Sequence, residues 1–157
     1  MSKTGKTYIS KSLADTRRIA EEFVDNLFTN GGKTSGKAVI IFLRGDLGSG
    51  KTTFVKAVGD ILGIKETITS PTFVLEKIYK IGTSAAEKSE FQNLVHIDAY
   101  RLSGGGDLES IGWGELVDNP RNIIFMEWPE MVHEKIPDDS LLIQFRFVDE
   151  TTREIAF

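Results

Sequence analysis

The chain has 157 residues, 40% of them hydrophobic, enough for one domain that buries roughly 70% of its unfolded surface without covalent staples. A formal charge of −4 argues against broad, charge-driven binding of nucleic acid by this chain alone, so a role on RNA would need a partner. The absence of cysteine excludes disulfides and thiolate metal sites, and no apolar run reaches signal-peptide or membrane-span length, so a cytoplasmic protein with no membrane contact is expected.

Leu13 to Phe28 places Ile19, Ala20, Phe23, Val24, Leu27 and Phe28 on one side, with Ser12 available as N-cap, which predicts an amphipathic helix ended by the polar stretch Thr29 to Lys37. Ala38 to Leu43 has the length and β-branched content of a strand buried on both faces. Phe54, Val58, Ile61 and Leu62 recur at helical spacing, and Gly63 is the expected C-cap. Thr72 to Ile81 alternates as a strand, Gly82 to Glu90 reads as a flexible connection, and Asn93 to Asp98 reads as the next strand. A glycine-rich turn at Gly104 to Gly106 precedes a helix expected over Asp107 to Val117, and Asn122 to Met126 is a second strongly buried strand. Ser140 to Val148 and Arg153 to Phe157 form the arms of a predicted hairpin across Asp149-Glu150-Thr151-Thr152.

Gly45-Asp46-Leu47-Gly48-Ser49-Gly50-Lys51-Thr52 fits the phosphate-binding loop pattern G-x-x-x-x-G-K-S/T, and it lies between an apolar run and an amphipathic segment, as such a loop must. The glycines let consecutive amides and a helix N-terminus point at phosphates. Lys51 would reach the β- and γ-phosphates, and the Thr52 hydroxyl would take one position on Mg²⁺. The fold this implies is α/β: a P-loop NTPase-like mixed sheet with helices on both faces and an antiparallel hairpin at the C-terminal end, spanning residues 1–157 as one P-loop domain. A second carboxylate is needed for the metal, and two are offered at the ends of apolar runs, Asp98 and Glu127. Ser70-Pro71-Thr72-Phe73 stands about twenty residues beyond Lys51, where nucleotide switches keep a threonine, although a Ser-Pro turn opening a strand reads equally simply. His96 shares a strand face with Asp98 and is assigned packing or hydrogen bonding, and Trp128 stacks on a substrate or partner or is simply buried.

Gly45 to Thr53, then Ser70-Pro71-Thr72-Phe73, then His96-Ile97-Asp98-Ala99-Tyr100-Arg101-Leu102, then Glu127-Trp128-Pro129-Glu130, in this order and spacing, resemble the bacterial TsaE family of threonylcarbamoyladenosine tRNA-modification ATPases. The N-terminal helix and C-terminal hairpin also fit, so the resemblance covers nearly the whole chain. It implies a small ATPase, using ATP and Mg²⁺, that supports formation of N6-threonylcarbamoyladenosine at position 37 of tRNAs reading codons that begin with A. The partners implied are TsaD, which carries out the transfer, and TsaB, with tRNA met only through their complex. Carried over by motif, Asp46, Leu47, Gly48, Ser49, Gly50, Lys51, Thr52 and Thr53 bind nucleotide, and Thr52 and Glu127 bind Mg²⁺. Asp98 lies at the γ-phosphate, Glu130 and Arg153 fall where the family contacts nucleotide, and catalytic roles fall to Lys51, Asp98 and Glu127. The chain departs from the family in a longish Gly82 to Glu90 connection and in Gly104-Gly105-Gly106 standing for a more polar turn.

A GTPase reading lacks an Asn-Lys-x-Asp element after the magnesium strands, so ATP is favoured by default. The rivals that stay open are a small-molecule kinase, whose usual arginine-bearing lid is not evident in the scattered Arg101, Arg121, Arg146 and Arg153, and an ATP-sensing binding module with negligible hydrolysis. With no arginine evidently placed to stabilise transferred charge, hydrolysis by the isolated chain is expected to be slow.

Overall fold

In a computed structural model, which describes residues 5–31, 36–72, 74–102, 105–132 and 136–157, the apolar run before the glycine loop occupies the middle of a seven-stranded sheet. This strand, β2 (Val39–Arg44), is buried over all but its last residue. It pairs in parallel with β5 (Asn122–Glu127) on one side and with β6 (Leu141–Phe147) on the other. Beyond β5 lies β4 (Asn93–Asp98), also parallel, and β3 (Glu76–Lys80) closes that edge antiparallel. On the other side β7 (Arg153–Ala156) and then β1 (Thr7–Ser10) add antiparallel strands, giving the order β1-β7-β6-β2-β5-β4-β3.

Because side chains alternate along a strand, β2 feeds two cores. Ile41 and Leu43 face the helices α1 (Leu13–Asn26) and α2 (Lys51–Ile61), where Ile19, Phe23, Phe54 and Val58 pack with Phe125. Ile40 and Phe42 face the opposite layer, where Leu108, Trp113 and Val117 pack with Val95, Ile97 and Ile124. Each of these large apolar side chains contributes ~1.5–3 kcal/mol when fully buried. The sheet is therefore mixed and covered on both faces, as the sequence predicts. Among the described residues no helix is long and apolar enough to cross a membrane.

Ser12 caps α1 as expected: the Asp15 amide donates to Ser12 Oγ at 3.0 Å, and Asp15 Oδ2 in turn accepts from the Lys11 amide at 2.9 Å. The helix then widens into a π-helical turn over Leu27–Gly31. Three expectations need correction. Thr72 to Ile81 is not one strand. The Val74 and Leu75 amides both donate to Pro71 O, Leu75 takes φ 66°, and β3 begins only at Glu76. The Gly82 to Glu90 connection holds a short helix, α3 (Thr83–Ser89), whose Ala85 and Ala86 pack on the core with too small a stripe to show as periodicity. The single helix expected over Asp107 to Val117 is two, α4 (Gly105–Ser110) and α5 (Trp113–Asp118), broken where Gly112 takes φ 75°. Gly104, part of the expected glycine turn, lies outside the described residues, as does Phe73.

One strand goes unread in the sequence altogether: β1 lies among lysines and shows only four alternating residues. It is fixed by its partner instead. Lys6 and Phe157 exchange backbone hydrogen bonds, the amide of each donating to the carbonyl of the other at 3.0 and 3.1 Å, and Tyr8 stacks on Phe157 with ring centres 4.8 Å apart.

Candidate nucleotide site

The chain leaves β2 at Arg44 and enters α2 at Lys51, and the turn between them depends on its glycines. Gly48 and Gly50 adopt φ 78° and 101°, a region costly for any residue with a Cβ. Gly50 is the N-cap of α2 and supplies no side-chain cap, so the first amides of the helix keep the partial positive charge that favours an anion. Gly45 meets a different constraint: a Cβ there would lie 2.6 Å from Phe145 O and 2.6 Å from Ser49 Oγ. The loop is thus seated directly on β6.

Arg153, from β7, ties the loop to the hairpin. Its Nε donates to Gly48 O at 3.0 Å, its Nη1 donates to Asp149 O at 2.5 Å and Thr152 O at 3.0 Å, and the guanidinium covers the Phe147 ring at 4.4 Å. Lys51 is folded back over its own loop. Its Nζ donates to Gly45 O at 2.5 Å and Asp46 O at 3.0 Å, and stands 4.6 Å from the centre of the Trp128 ring. Burial pushes the Lys51 pKa below its ordinary value, against the pull of the Glu127, Asp46, Asp98 and Glu130 charges. Trp128 holds its place over the lysine at φ 59°, a left-handed conformation that costs a bulky residue on the order of 1–3 kcal/mol, with Tyr100 packed beside it at 5.1 Å.

Sheet register settles the relation of the two carboxylates. Glu127 stands opposite Leu43 on the adjoining β2, and Asp98 stands opposite Glu127 one strand further out. Glu127 is 3% exposed; its Oε1 accepts from Thr52 Oγ1 at 3.1 Å, and its Oε2 lies 3.6 Å from His96 Nε2. Asp98 is 5% exposed; Oδ2 accepts from Thr72 Oγ1 at 3.0 Å and Oδ1 from the Tyr100 amide at 2.9 Å. Ser70 and Thr72 share a further hydrogen bond at 2.7 Å. The Ser70 to Thr72 turn is therefore held to Asp98 by a hydroxyl. Sequence reasoning picks out both segments but not the bond between them.

Among the described residues no three carboxylate, imidazole or thiol groups converge to hold a metal ion unaided. The donor set is one hydroxyl and one carboxylate side by side, which fits Mg²⁺ shared with phosphate oxygens and water rather than a protein-only cage.

A cavity of about 450 Å³ joins these groups. One end is formed by Leu47 to Thr53, Ser70, Thr72, Asp98, Glu127 and Trp128. The other holds Arg153, which the family resemblance marks, together with residues it does not: Ser10 to Leu13 and Thr16 at the β1–α1 junction, Glu150 and Thr151 of the β6–β7 turn, and Ile155. Ser10 and Thr16 are buried and share a hydroxyl–hydroxyl bond at 2.7 Å. For the β1–α1 segment the one local signal is Ser12 as a helix cap, because β1 brings that segment there only through pairing with β7. Leu47, also in the lining, is 89% exposed at the tip of the loop. Asp46 is exposed and joins the site through its carbonyl, and Glu130 is exposed on the 3₁₀ turn Pro129–Met131, outside the cavity lining but with its charge felt at Lys51.

Residues 10–155 match the family model of the threonylcarbamoyl adenosine biosynthesis protein TsaE. Over 118 residues the chain is 35% identical to the tRNA threonylcarbamoyladenosine biosynthesis protein TsaE of Streptomyces coelicolor, covering 74% of each. It is 33% identical over 148 residues to the protein of the same description from Treponema pallidum, covering 94% of this chain and 96% of the relative. Among solved structures, the crystal structure of Bacillus subtilis YdiB matches with a TM-score of 0.69 at 26% identity, over 97% of this chain and 83% of that one.

Proposed function

This chain belongs to the TsaE family of tRNA threonylcarbamoyladenosine biosynthesis proteins, and from that premise we propose that it binds and slowly hydrolyses ATP, its nucleotide cycle driving or resetting a TsaD–TsaB complex. The observation that carries the reading is the convergence of Lys51, Thr52, Asp98 and Glu127 at one end of one cavity, under the open N-terminus of α2. The proposed setting is the cytoplasm, with tRNA reached only through the complex.

In this reading Lys51 leaves the carbonyls of Gly45 and Asp46 and turns to the β- and γ-phosphates, while the loop amides and the start of α2 hold the α- and β-phosphates. Lys51 gains by the exchange, since a buried ammonium on two neutral carbonyls then meets anionic oxygen. Mg²⁺, held by Thr52 Oγ1 and Glu127 together with phosphate oxygens, would neutralise charge developing on the leaving phosphates. Asp98 orients the attacking water, and Thr72 sets the angle of that carboxylate through its hydroxyl. The nucleoside lies toward Ser10 to Leu13 and the β6–β7 turn. Arg153 is engaged with three main-chain carbonyls and with Phe147, which supports slow turnover by the isolated chain, because a cation so tethered steadies the loop instead of following the transferred phosphoryl group.

The test is ATP hydrolysis by the purified protein, alone and with TsaD, TsaB and tRNA, scoring multi-turnover modification in parallel. Hydrolysis and modification should rise together and vanish in Lys51→Ala. Fast hydrolysis that ignores the partners would refute the proposal and favour a small-molecule kinase.

A further inference from the structure

We propose that His96 is a positioning residue for Glu127, fixing the carboxylate from behind so that Oε1 stays turned to Thr52 and the phosphates; this rests on the metal reading given above. His96 is fully buried on β4, and its register neighbours, Lys77 on β3 and Phe125 on β5, leave its ring enclosed in the sheet face. Neither ring nitrogen has a hydrogen-bond partner among the described residues. An imidazole carries one N–H and one acceptor even when neutral, and an apolar side chain would fill such a slot without that cost. The polar group it faces is Glu127 Oε2, 3.6 Å from Nε2. A movement of about 0.5 Å turns that separation into a hydrogen bond.

The carboxylate of Glu127 is then held at both ends, Oε1 by Thr52 from α2 and Oε2 by His96 from β4. A carboxylate gripped at one oxygen alone is free to rotate about its last bond and present either oxygen to a metal. Held at both, it presents one. The same device, a buried donor behind a metal-binding carboxylate, raises affinity in metal sites generally by pre-orienting the ligand. It needs only a proton on Nε2.

The experiment is a Mg²⁺ titration of fluorescent ADP-analogue binding to the full chain. His96→Phe, which keeps a ring and removes the donor, should raise the Mg²⁺ concentration at half-saturation about tenfold and leave metal-free nucleotide affinity unchanged. His96→Gln, whose amide places an N–H near the Nε2 position, should return it to within about threefold of the parent. A packing role alone would lower thermal stability without moving the Mg²⁺ midpoint, so an unmoved midpoint in a folded His96→Phe protein overturns the proposal. Glu127→Ala separates the two layers of inference. If neither variant moves the midpoint, the metal reading fails and this proposal with it; if only Glu127→Ala moves it, His96 alone is wrongly assigned. Should His96→Phe not fold, imidazole ¹⁵N NMR of the unsubstituted protein decides: a proton on Nε2 whose signal shifts with Mg²⁺-ADP is expected, and a proton on Nδ1 with a bare Nε2 facing the carboxylate overturns it.

Discussion

Replacing Gly45 by alanine tests whether the phosphate loop is seated on β6 as tightly as its geometry implies. The added Cβ would lie 2.6 Å from Phe145 O, 2.9 Å from Phe145 Cβ and 2.6 Å from Ser49 Oγ. An ordinary carbon–oxygen contact is about 3.3 Å, so roughly 0.7 Å of relief is needed. Phe145 cannot supply it cheaply, because β6 is paired on both sides, with β2 and with β7. Ser49 is fully buried, and turning its hydroxyl aside relieves only its own contact, not the one with Phe145. The loop itself must yield, at an overpacking cost of about 1–3 kcal/mol, equivalent to a fall of about 2–12 °C in Tm for a chain of this size. Because Lys51 and Thr52 move with the loop, nucleotide affinity should fall by about tenfold or more. Gly48→Ala is the informative control. No atom lies within 4 Å of its would-be Cβ, and its cost, about 1–2 kcal/mol, comes from φ 78° alone. Urea unfolding and calorimetric nucleotide titration read both variants. Gly45→Ala lying within about 0.5 kcal/mol of the parent, with unchanged affinity, would refute the argument.

Lys51→Met should leave the nucleotide-free protein as stable as the parent or more so, since burial already disfavours the ammonium, while abolishing the rise in Tm that nucleotide produces; a normal ligand-induced rise would count against the assignment. Thr72→Val should cost about 1.5–3 kcal/mol by removing the donor to the buried Asp98 carboxylate, and should lower kcat for hydrolysis more than it lowers nucleotide affinity; equal losses in both would remove Thr72 from the chemical step. Glu22 accepts from Lys6 Nζ at 2.8 Å and Tyr8 OH at 2.7 Å, joining β1 to α1. The Lys6 bond holds the Glu22 pKa below its ordinary 4.5, so the contribution to stability is present above that value and lost as pH falls through the lowered one. Lys6 is raised above 10.5, so its side of the pair is fully present below 10.5 and lost at higher pH. The Tm difference between the parent and Glu22→Gln should therefore persist at neutral pH and close in acid below 4.5, and a gap that stays constant into acid would exclude this linkage.

What the sequence makes legible is what short stretches encode by themselves. The glycine loop, the buried runs of β2, β4 and β5, and a carboxylate ending each of β4 and β5 are local patterns, and parallel pairing aligns Asp98 with Glu127 without further information. The placement of Glu127 beside the loop strand, with Asp98 one strand away, comes only from strand order. Similarly, β1 is too short to declare itself, so the half of the cavity built by Ser10 to Thr16 stays hidden until β7 is seen to pair with it. The Thr72–Asp98 bond is hidden for the opposite reason. Alternation suggests a strand, but Pro71 turns the backbone back on itself and delivers the hydroxyl inward. In α4 and α5 the apolar spacing continues across Gly112, and only its positive φ divides the helix.

The pairing of β1 with β7 also has a temporal consequence. The phosphate-loop motif is translated within the first third of the chain, yet Arg153, which ties Gly48 in place, and Ile155, which walls the far end of the cavity, come from almost the last residues. At about 5–20 residues per second on the ribosome, several seconds separate the two. A growing chain thus displays the loop long before it can close a pocket around it. Until β7 has been made, the loop lacks both the guanidinium that steadies Gly48 and the apolar wall that Ile155 adds.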